Sequence, residues 1–191
     1  MTKSRPPAHF ERLYQSNPDP WGFETSLYET EKYNRTLNAL GDRRFSAGLE
    51  LGCSIGVLTR MLAQRCDALV GVDSVEQPLR AARLRCADQP QVRFQRMQIP
   101  ASWPEGRFDL IIFSEVLYFL SKTDIDACVD RVRTSLLPEG AVVLVNWLGR
   151  TDDPTPGHAA AEHFITTSYD ALAVNFCFRN ENYRLDIFEP V

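Results

Sequence analysis

The sequence predicts an α/β fold in which a mostly parallel sheet ends in a C-terminal antiparallel strand pair, with helices on both faces. From Ala47 onward, short apolar runs alternate with helix-patterned stretches, which is typical of a parallel sheet. Two final strand-like segments, 174–179 and 183–188, are separated by a polar turn, as in a hairpin. The 191 residues, 44% of them apolar, suffice for one well-buried core, so we expect a single domain, 1–191.

Two helical segments precede the alternating pattern. One contains Tyr14 and ends before the proline-containing segment 17–20. The other, about 27–40, places Tyr33 and two leucines on one face at helical spacing. Within the single domain we therefore expect a helical cap or lid at 1–45 and a cofactor-binding α/β core at 46–191.

The core elements follow in order from apolar runs and turn residues. The predicted strands are 47–51, 68–72, 91–96, 108–113 and 140–147, followed by the final pair. The predicted helices are 57–65, 75–87, 122–135 and 158–170.

The most informative stretch is the turn after the first strand, Leu49-Glu-Leu-Gly-Cys-Ser-Ile-Gly56. Gly52 and Gly56 let the backbone turn tightly and approach a ligand without a side chain in the way. Asp73 lies 21 residues after Gly52 at the end of the second strand, where a carboxylate can accept hydrogen bonds from ribose hydroxyls. This arrangement predicts an adenosine-containing ligand.

The details of the turn favour an adenosine ligand without a pyrophosphate. A dinucleotide site needs G-x-G-x-x-G, but Ser54 and Val57 replace the second and third glycines, and the phosphate cradle with its lysine is also missing. S-adenosylmethionine fits instead, because its sulfonium cation tolerates the nearby carboxylates of Glu50 and Asp73.

The same turn also spells G-x-S-x-G, the nucleophile elbow of serine hydrolases, with Ser54 as the nucleophile. Such an enzyme needs an oxyanion loop earlier in the chain, and the residues before Ala47 are helix-patterned and offer none. His158 or His163 could supply a base, so the hydrolase stays open as a distant alternative.

In open α/β sheets, ligands lie outside the carboxyl ends of the strands, and this rule nominates the site residues. An alternative role for Ser114 is to cap a helix that begins at Glu115, and an alternative role for Met97 is core packing. The candidate cofactor-binding residues are Glu50, Gly52, Cys53, Ser54, Gly56, Asp73, Met97, Gln98 and Ser114.

Several runs together resemble the nodulation protein S family of S-adenosylmethionine-dependent N-methyltransferases. They are Asp19-Pro-Trp-Gly-Phe-Glu-Thr-Ser26, Tyr28, Lys32-Tyr33, the glycine turn 49–56, Pro100-Ala-Ser-Trp-Pro-Glu-Gly-Arg-Phe-Asp109 and Ser114-Glu-Val-Leu-Tyr118. The resemblance implies a class I methyltransferase (Rossmann-like) fold and a chitooligosaccharide substrate whose non-reducing terminal glucosamine is N-deacetylated. Two departures from the wider methyltransferase pattern are Ser54, where many relatives carry Gly, and Gln98, where many carry an Asp that binds the adenine amino group.

Methylation of an amine requires a neutral nitrogen aimed at the methyl carbon. Glu115 could orient the ammonium form and take a proton, while Tyr33 or Tyr118 could aim the lone pair, so these are the catalytic candidates. Trp21, Trp147 and His158 are the substrate candidates, although such tryptophans are more often core or loop anchors. Segment 19–35 could close over the cofactor as a lid or pack as a fixed helix.

Charge and cysteine content narrow the function classes. With a net charge of −4, the chain does not have the excess of basic residues that is typical of a nucleic-acid binder. Five cysteines without a C-x-x-C pair favour a reducing cytoplasm, and no metal site, secretory segment or run of 18 apolar residues is predicted. A small-molecule or O-directed methyltransferase and a non-enzymatic adenosine-binding module remain open alternatives.

Overall fold

The computed structural model describes residues 2–191, which fold as two compact units. One unit comprises Pro6–Gln98, and the other comprises residues 2–5 together with Ile99–Val191. The single-domain organisation stays a prediction, and each unit is described by itself below. No helix within residues 2–191 combines the length and apolar character needed to span a bilayer.

The unit Pro6–Gln98 contains three parallel strands in the order β3-β2-β1. Its elements are α1 (Pro7–Ser16), α2 (Leu27–Ala39), β1 (Gly48–Leu51), α3 (Val57–Leu62), β2 (Leu69–Asp73), α4 (Glu76–Arg85) and β3 (Val92–Arg96). All four residues of β1 are buried, as expected for a parallel strand covered on both faces. The register pairs Leu51 with Val72, so β1 and β2 end at the same edge.

The two N-terminal helices begin where their sequences favour initiation. Proline occupies the first position of α1, where its missing N–H costs nothing. Ser26 caps α2 by accepting a hydrogen bond from the Glu29 backbone N–H. Both helices belong to the same unit as the glycine turn.

The second unit contains four strands in the order β4-β5-β7-β6. Its elements are β4 (Phe108–Ser114), a short 3-10 turn (Leu117–Phe119), α5 (Lys122–Ser135), β5 (Leu136–Trp147), α6 (Gly157–Ser168), β6 (Leu172–Arg179) and β7 (Tyr183–Pro190). The β4–β5 pair is parallel, whereas β7 pairs antiparallel with both β5 and β6. The predicted α/β class, with parallel strands followed by an antiparallel pair, is confirmed.

The boundaries differ from the prediction mainly at β5, which begins at Leu136 rather than at residue 140. Its pairing with β4 jumps from Phe108↔Leu136 to Leu110↔Ala141, so a bulge absorbs the Pro138 to Gly140 stretch that is typical of a break. Smaller differences include the ends of α3 at Leu62, α4 at Arg85 and α6 at Ser168, the start of β6 at Leu172 and the end of β7 at Pro190.

Candidate functional site

The glycine turn between β1 and α3 is held against the end of β2 by its own backbone. Gly52, Ser54 and Gly56 all have positive φ, of 80°, 48° and 78°. The N–H groups of Gly52 and Cys53 both donate to the Val72 carbonyl, at 2.8 and 2.9 Å. Such a conformation favours glycine and is uncommon at a serine, so Ser54 marks a locally strained turn.

Asp73 organises this turn as well as standing at the tip of β2. Its carboxylate accepts hydrogen bonds from the backbone N–H of Ser54 at 3.1 Å and of Val75 at 2.9 Å, one on each oxygen. Burial raises the pKa of Asp73 to about 6, and the same N–H donors oppose that rise. Each oxygen keeps a further lone pair, so the carboxylate can still accept from a ribose diol.

Gly56 and Cys53 shape the turn from the protein side. A Cβ on Gly56 would lie 2.8 Å from the Cβ and 3.0 Å from the Cα of Ala82, so this glycine allows α4 to pack close to the turn. Cys53 is buried, and burial raises the pKa of its thiol. We therefore assign close packing to both residues, beside the predicted role of Gly56 in ligand approach.

Glu50 is a buried carboxyl within β1. The residue is 1% exposed, and within the described part of the chain its Oε2 has no hydrogen-bond partner. Burial raises the pKa of Glu50 from its ordinary value of 4.5 to about 8; the negative charge of Asp73 adds to the rise and the Thr59 hydroxyl opposes it. A buried, unsatisfied carboxyl oxygen calls for a cationic or donor group beside it.

This raised pKa predicts a pH-dependent stability for the ligand-free protein. The folded protein holds the Glu50 proton between about pH 4.5 and 8, where the unfolded chain has lost it, so stability falls as pH rises through that range. The Glu50 contribution is about 5 kcal/mol in the limit, and Asp73 acts in the same direction at lower pH. Thermal melts of the wild type and Glu50→Gln from pH 5 to 9 test this; parallel curves would contradict it.

Tyr14, on α1, joins the turn although the sequence did not mark it as a site residue. Its hydroxyl lies 2.6 Å from the Ser54 Oγ, and burial raises the pKa of the phenol above its usual range. The spacing of apolar residues in α1 indicated only a core position, and nothing in that pattern reveals the partner of the hydroxyl.

The partner of Ser54 also bears on the hydrolase alternative. A nucleophilic serine needs an adjacent base, whereas the Ser54 hydroxyl bonds to a protonated phenol. His163 pairs with Asp126 at 2.8 Å, and His158 accepts from Arg184 at 3.2 Å, so both histidines considered as bases have other partners. The geometry does not favour a serine hydrolase.

Aromatic rings from the N-terminal segment pack in series beside the turn. Tyr14 meets Trp21 edge-on at 5.6 Å, Trp21 stacks on Phe23 at 5.5 Å, and Phe23 lies 6.5 Å from Tyr33. Tyr33 is buried, whereas Trp21 is 37% exposed. Both residues of the predicted lid thus belong to one cluster, and motion of segment 19–35 stays a prediction.

Of the two cofactor candidates that follow β3, Met97 contacts Asp73 through its backbone, and its side chain is only half-buried. The backbone N–H of Met97 donates to the Asp73 carbonyl at 2.9 Å. The side chain of Gln98 is exposed. Their contact with an adenine ring remains a prediction.

In the second unit, the structure contradicts the alternative in which Ser114 caps a helix that begins at Glu115. Strand β4 continues through Ser114, and Glu115 has a φ of 58°, outside the right-handed helical region that the first residue of a helix adopts. The Glu115 N–H donates to the Val145 carbonyl at 2.9 Å, and its Oε2 accepts from the Trp147 N–H at 2.8 Å. Backbone pairing with β5 carries the strand past the expected end, so Ser114 caps no helix and Glu115 joins the ends of β4 and β5.

The remaining candidates lie near the end of β5. Tyr118 is buried, and its carbonyl accepts from the Thr155 N–H at 3.3 Å. Trp147 is 37% exposed, and its indole lies directly against Gly149. His158 stands in the first turn of α6, bonded to Arg184.

The residues around the turn fit S-adenosylmethionine by chemistry. Glu50 offers an unsatisfied buried oxygen, Asp73 offers carboxylate lone pairs, and the three positive-φ residues bring the backbone to the surface of the turn. Within residues 2–191, no three His, Cys, Asp or Glu side chains gather as metal ligands. These features suit an adenosine ligand that carries positive charge.

Comparison with known proteins agrees with this reading. The profile of the family "Nodulation protein S (NodS)" matches residues 10–160. Nodulation protein S of Bradyrhizobium diazoefficiens is 31% identical over 127 residues, covering 65% of this chain and 61% of the relative. The chain thus spans about three fifths of that curated relative.

More distant similarity reaches ubiquinone biosynthesis O-methyltransferase of the same organism, which is 27% identical over 69% of this chain and 51% of that protein. Among solved structures, N-methyltransferase NodS from Bradyrhizobium japonicum WM9 in complex with S-adenosyl-L-homocysteine superposes with a TM-score of 0.82 at 25% identity, covering 96% of this chain and 97% of that one. These matches establish a class I methyltransferase fold and confirm the family expected from the sequence. The chain belongs to the Nodulation protein S (NodS) family.

Proposed function

We propose that the protein transfers a methyl group from S-adenosylmethionine to the free amine of the N-deacetylated non-reducing terminal glucosamine of a chitooligosaccharide. The observation that carries the cofactor part is the acidic glycine turn, where Asp73 and the unsatisfied Glu50 offer oxygens to a ribose and to a cation. The related structure that holds S-adenosyl-L-homocysteine supports the same cofactor. The substrate rests on family membership.

The cofactor supplies an electrophilic methyl group on a sulfonium, and the residues of this chain would bind and orient it. Asp73 would accept the ribose hydroxyls while it keeps the turn closed through Ser54 and Val75. Glu50 would lose its proton when a cationic part of the cofactor is bound, because a neighbouring positive charge favours the carboxylate. Tyr14 would hold Ser54 in its strained conformation.

On the acceptor side, the nitrogen must be neutral and in line with the methyl group. The amine of glucosamine is less basic than that of lysine, so deprotonation near neutral pH is favourable and Glu115 need only accept a proton. Tyr33 and Tyr118 remain the candidates for aiming the lone pair.

Glu115→Gln separates a chemical role of Glu115 from its structural one. The amide oxygen can still accept from the Trp147 N–H, so the junction of β4 and β5 is kept. If Glu115 takes the proton, we expect kcat to fall about 10- to 100-fold while affinity for S-adenosylhomocysteine stays unchanged. Glu115→Ala, which also removes the junction, is the comparison; an unchanged kcat in Glu115→Gln would remove Glu115 from the chemistry.

The substrate class is tested by acceptor choice. Methyl transfer is measured with a deacetylated chitooligosaccharide, its fully acetylated counterpart and a phenolic acceptor. We expect methylation of the first only, because it alone offers a free amine. Transfer to the phenol would favour the O-directed alternative, to which the similarity with ubiquinone biosynthesis O-methyltransferase points.

A further inference from the structure

A buried side-chain amide at the carboxyl end of β5 has no hydrogen-bond partner among residues 2–191. Asn146 is 0% exposed, and both its Oδ1 and its Nδ2 are unsatisfied. Buried polar groups in native proteins are nearly always paired, and an unpaired one costs stability. A leucine of similar size would avoid this cost, so the amide calls for an explanation.

The neighbours of Asn146 do not satisfy it because they are occupied with one another. Arg184 lies opposite Asn146 in the register of β5 and β7. The guanidinium of Arg184 is bonded to Asp186 through Nε at 3.0 Å, to Glu162, and to the His158 Nδ1 at 3.2 Å. The cluster thus binds its own charges and leaves the amide beside it unpaired.

The position of Asn146 is where an acceptor is expected in this fold. Ligands of open α/β sheets lie outside the carboxyl ends of the strands, and Asn146 is the penultimate residue of β5. The first turn of α6 lies against it: a Cβ on Gly157 would stand 3.4 Å from the Asn146 Cβ and would collide with the Trp147 carbonyl.

We propose that the Asn146 amide binds the acceptor, pairing with a hydroxyl or neutral amine that donates to Oδ1 and accepts from Nδ2. The inference rests on the proposed function and extends it by one binding residue. A hydroxyl or amine both donates and accepts, which matches an amide with both atoms unsatisfied. The unpaired amide destabilises the free protein, and acceptor binding then offsets that loss of stability because both amide atoms gain partners.

Asn146 is fully buried against the first turn of α6, so acceptor binding requires that turn to shift, and segment 148–156 connects the turn to Trp147. Thr155 ties this segment down through its hydroxyl to the Leu120 carbonyl at 2.8 Å. Arg5 also holds this segment, because its guanidinium donates hydrogen bonds to the Asp153 carboxylate at 2.8 Å and to the Asp152 carbonyl at 2.7 Å. These few polar contacts can open and reclose without unfolding of the strands.

The test compares Asn146→Leu with the wild type in two measurements. We expect its Tm to rise by a few degrees, because the unsatisfied amide is removed. We expect its dissociation constant for a short deacetylated chitooligosaccharide, measured by calorimetry with S-adenosylhomocysteine present, to increase at least tenfold. Affinity for S-adenosylhomocysteine alone should stay within twofold. Asn146→Ala, which cannot overpack, provides the same acceptor measurement should the leucine variant fold poorly.

Ser168→Ala is the matched control. Ser168 is buried and is the last residue of α6, the helix whose first turn lies against Asn146. Its hydroxyl donates to a carbonyl within α6, so its removal should change Tm and leave acceptor affinity unchanged. If the Asn146 variants bind the acceptor as tightly as the wild type, this inference is overturned while the proposed function stands. The amide would then bind an internal water instead. Absence of acceptor binding by the wild type would count against the proposed function, and this inference would fall with it.

Discussion

Gly56→Val should destabilise the protein by about 3–5 kcal/mol and abolish cofactor binding. A Cβ at this position would lie 2.8 Å from the Ala82 Cβ and 3.0 Å from its Cα, and the φ of 78° is strained for any branched residue. The backbone of α4 cannot yield as the end of a flexible side chain could. Urea unfolding and calorimetry with S-adenosylhomocysteine measure both effects.

Gly41→Val is the matched control for this substitution. Gly41 has a similar φ of 61°, but apart from its chain neighbours no atom of residues 2–191 lies within 4 Å of its hypothetical Cβ. It therefore carries the backbone strain without the collision, and we expect a loss of only about 1–2 kcal/mol with cofactor affinity retained. Equal losses in the two variants would show that strain alone, and not the packing of α4 against the turn, makes Gly56 necessary.

Asp73→Asn should weaken binding of S-adenosylhomocysteine about 100-fold, corresponding to ~3 kcal/mol. The carboxylate accepts from the backbone N–H of Ser54 and of Val75, one on each oxygen. An amide offers one acceptor and turns an N–H donor toward the other, so one of these bonds is lost. The ribose hydroxyls lose a charged acceptor at the same time.

The control for Asp73→Asn is Asp67→Asn in the same unit. Asp67 is exposed and pairs with Arg44 at 3.2 Å, so the variant has the same change of charge without contact with the turn. We expect unchanged affinity there. If Asp73→Asn binds S-adenosylhomocysteine as tightly as Asp67→Asn, the assigned role of Asp73 in cofactor binding is wrong.

The sequence predicts most of the fold because its strands are short buried runs separated by turn residues. It fails where pairing overrides local preference: β5 continues through Pro138 and Gly140 because a bulge accommodates them, and β4 continues through Ser114 because Glu115 pairs with β5. In each case a contact distant in sequence decides the boundary. Local patterns contain no information about such contacts.

The candidate site residues likewise fall into those that the sequence predicts and those that only the structure reveals. Gly52, Gly56 and Asp73 follow from the spacing of the motif, because backbone freedom and a strand-end carboxylate are local properties. Tyr14 could not be predicted, since its partner Ser54 lies 40 positions away. Asn146 was also missed, because an amide at the end of an apolar strand shows its lack of partners only when its neighbours are placed.

The two hydrogen bonds that the Asp73 carboxylate accepts, from the Ser54 and Val75 N–H groups, specify the length of that side chain as well as its charge. Aspartate reaches the backbone N–H two positions ahead because its carboxyl carbon is bonded directly to the Cβ, as in the contact with Val75. Glutamate, which is one methylene longer, would not keep both contacts in place, and loss of the Ser54 contact would release the glycine turn. Among natural variants of this chain, glutamate here would therefore indicate a rebuilt loop, even though the formal charge is conserved.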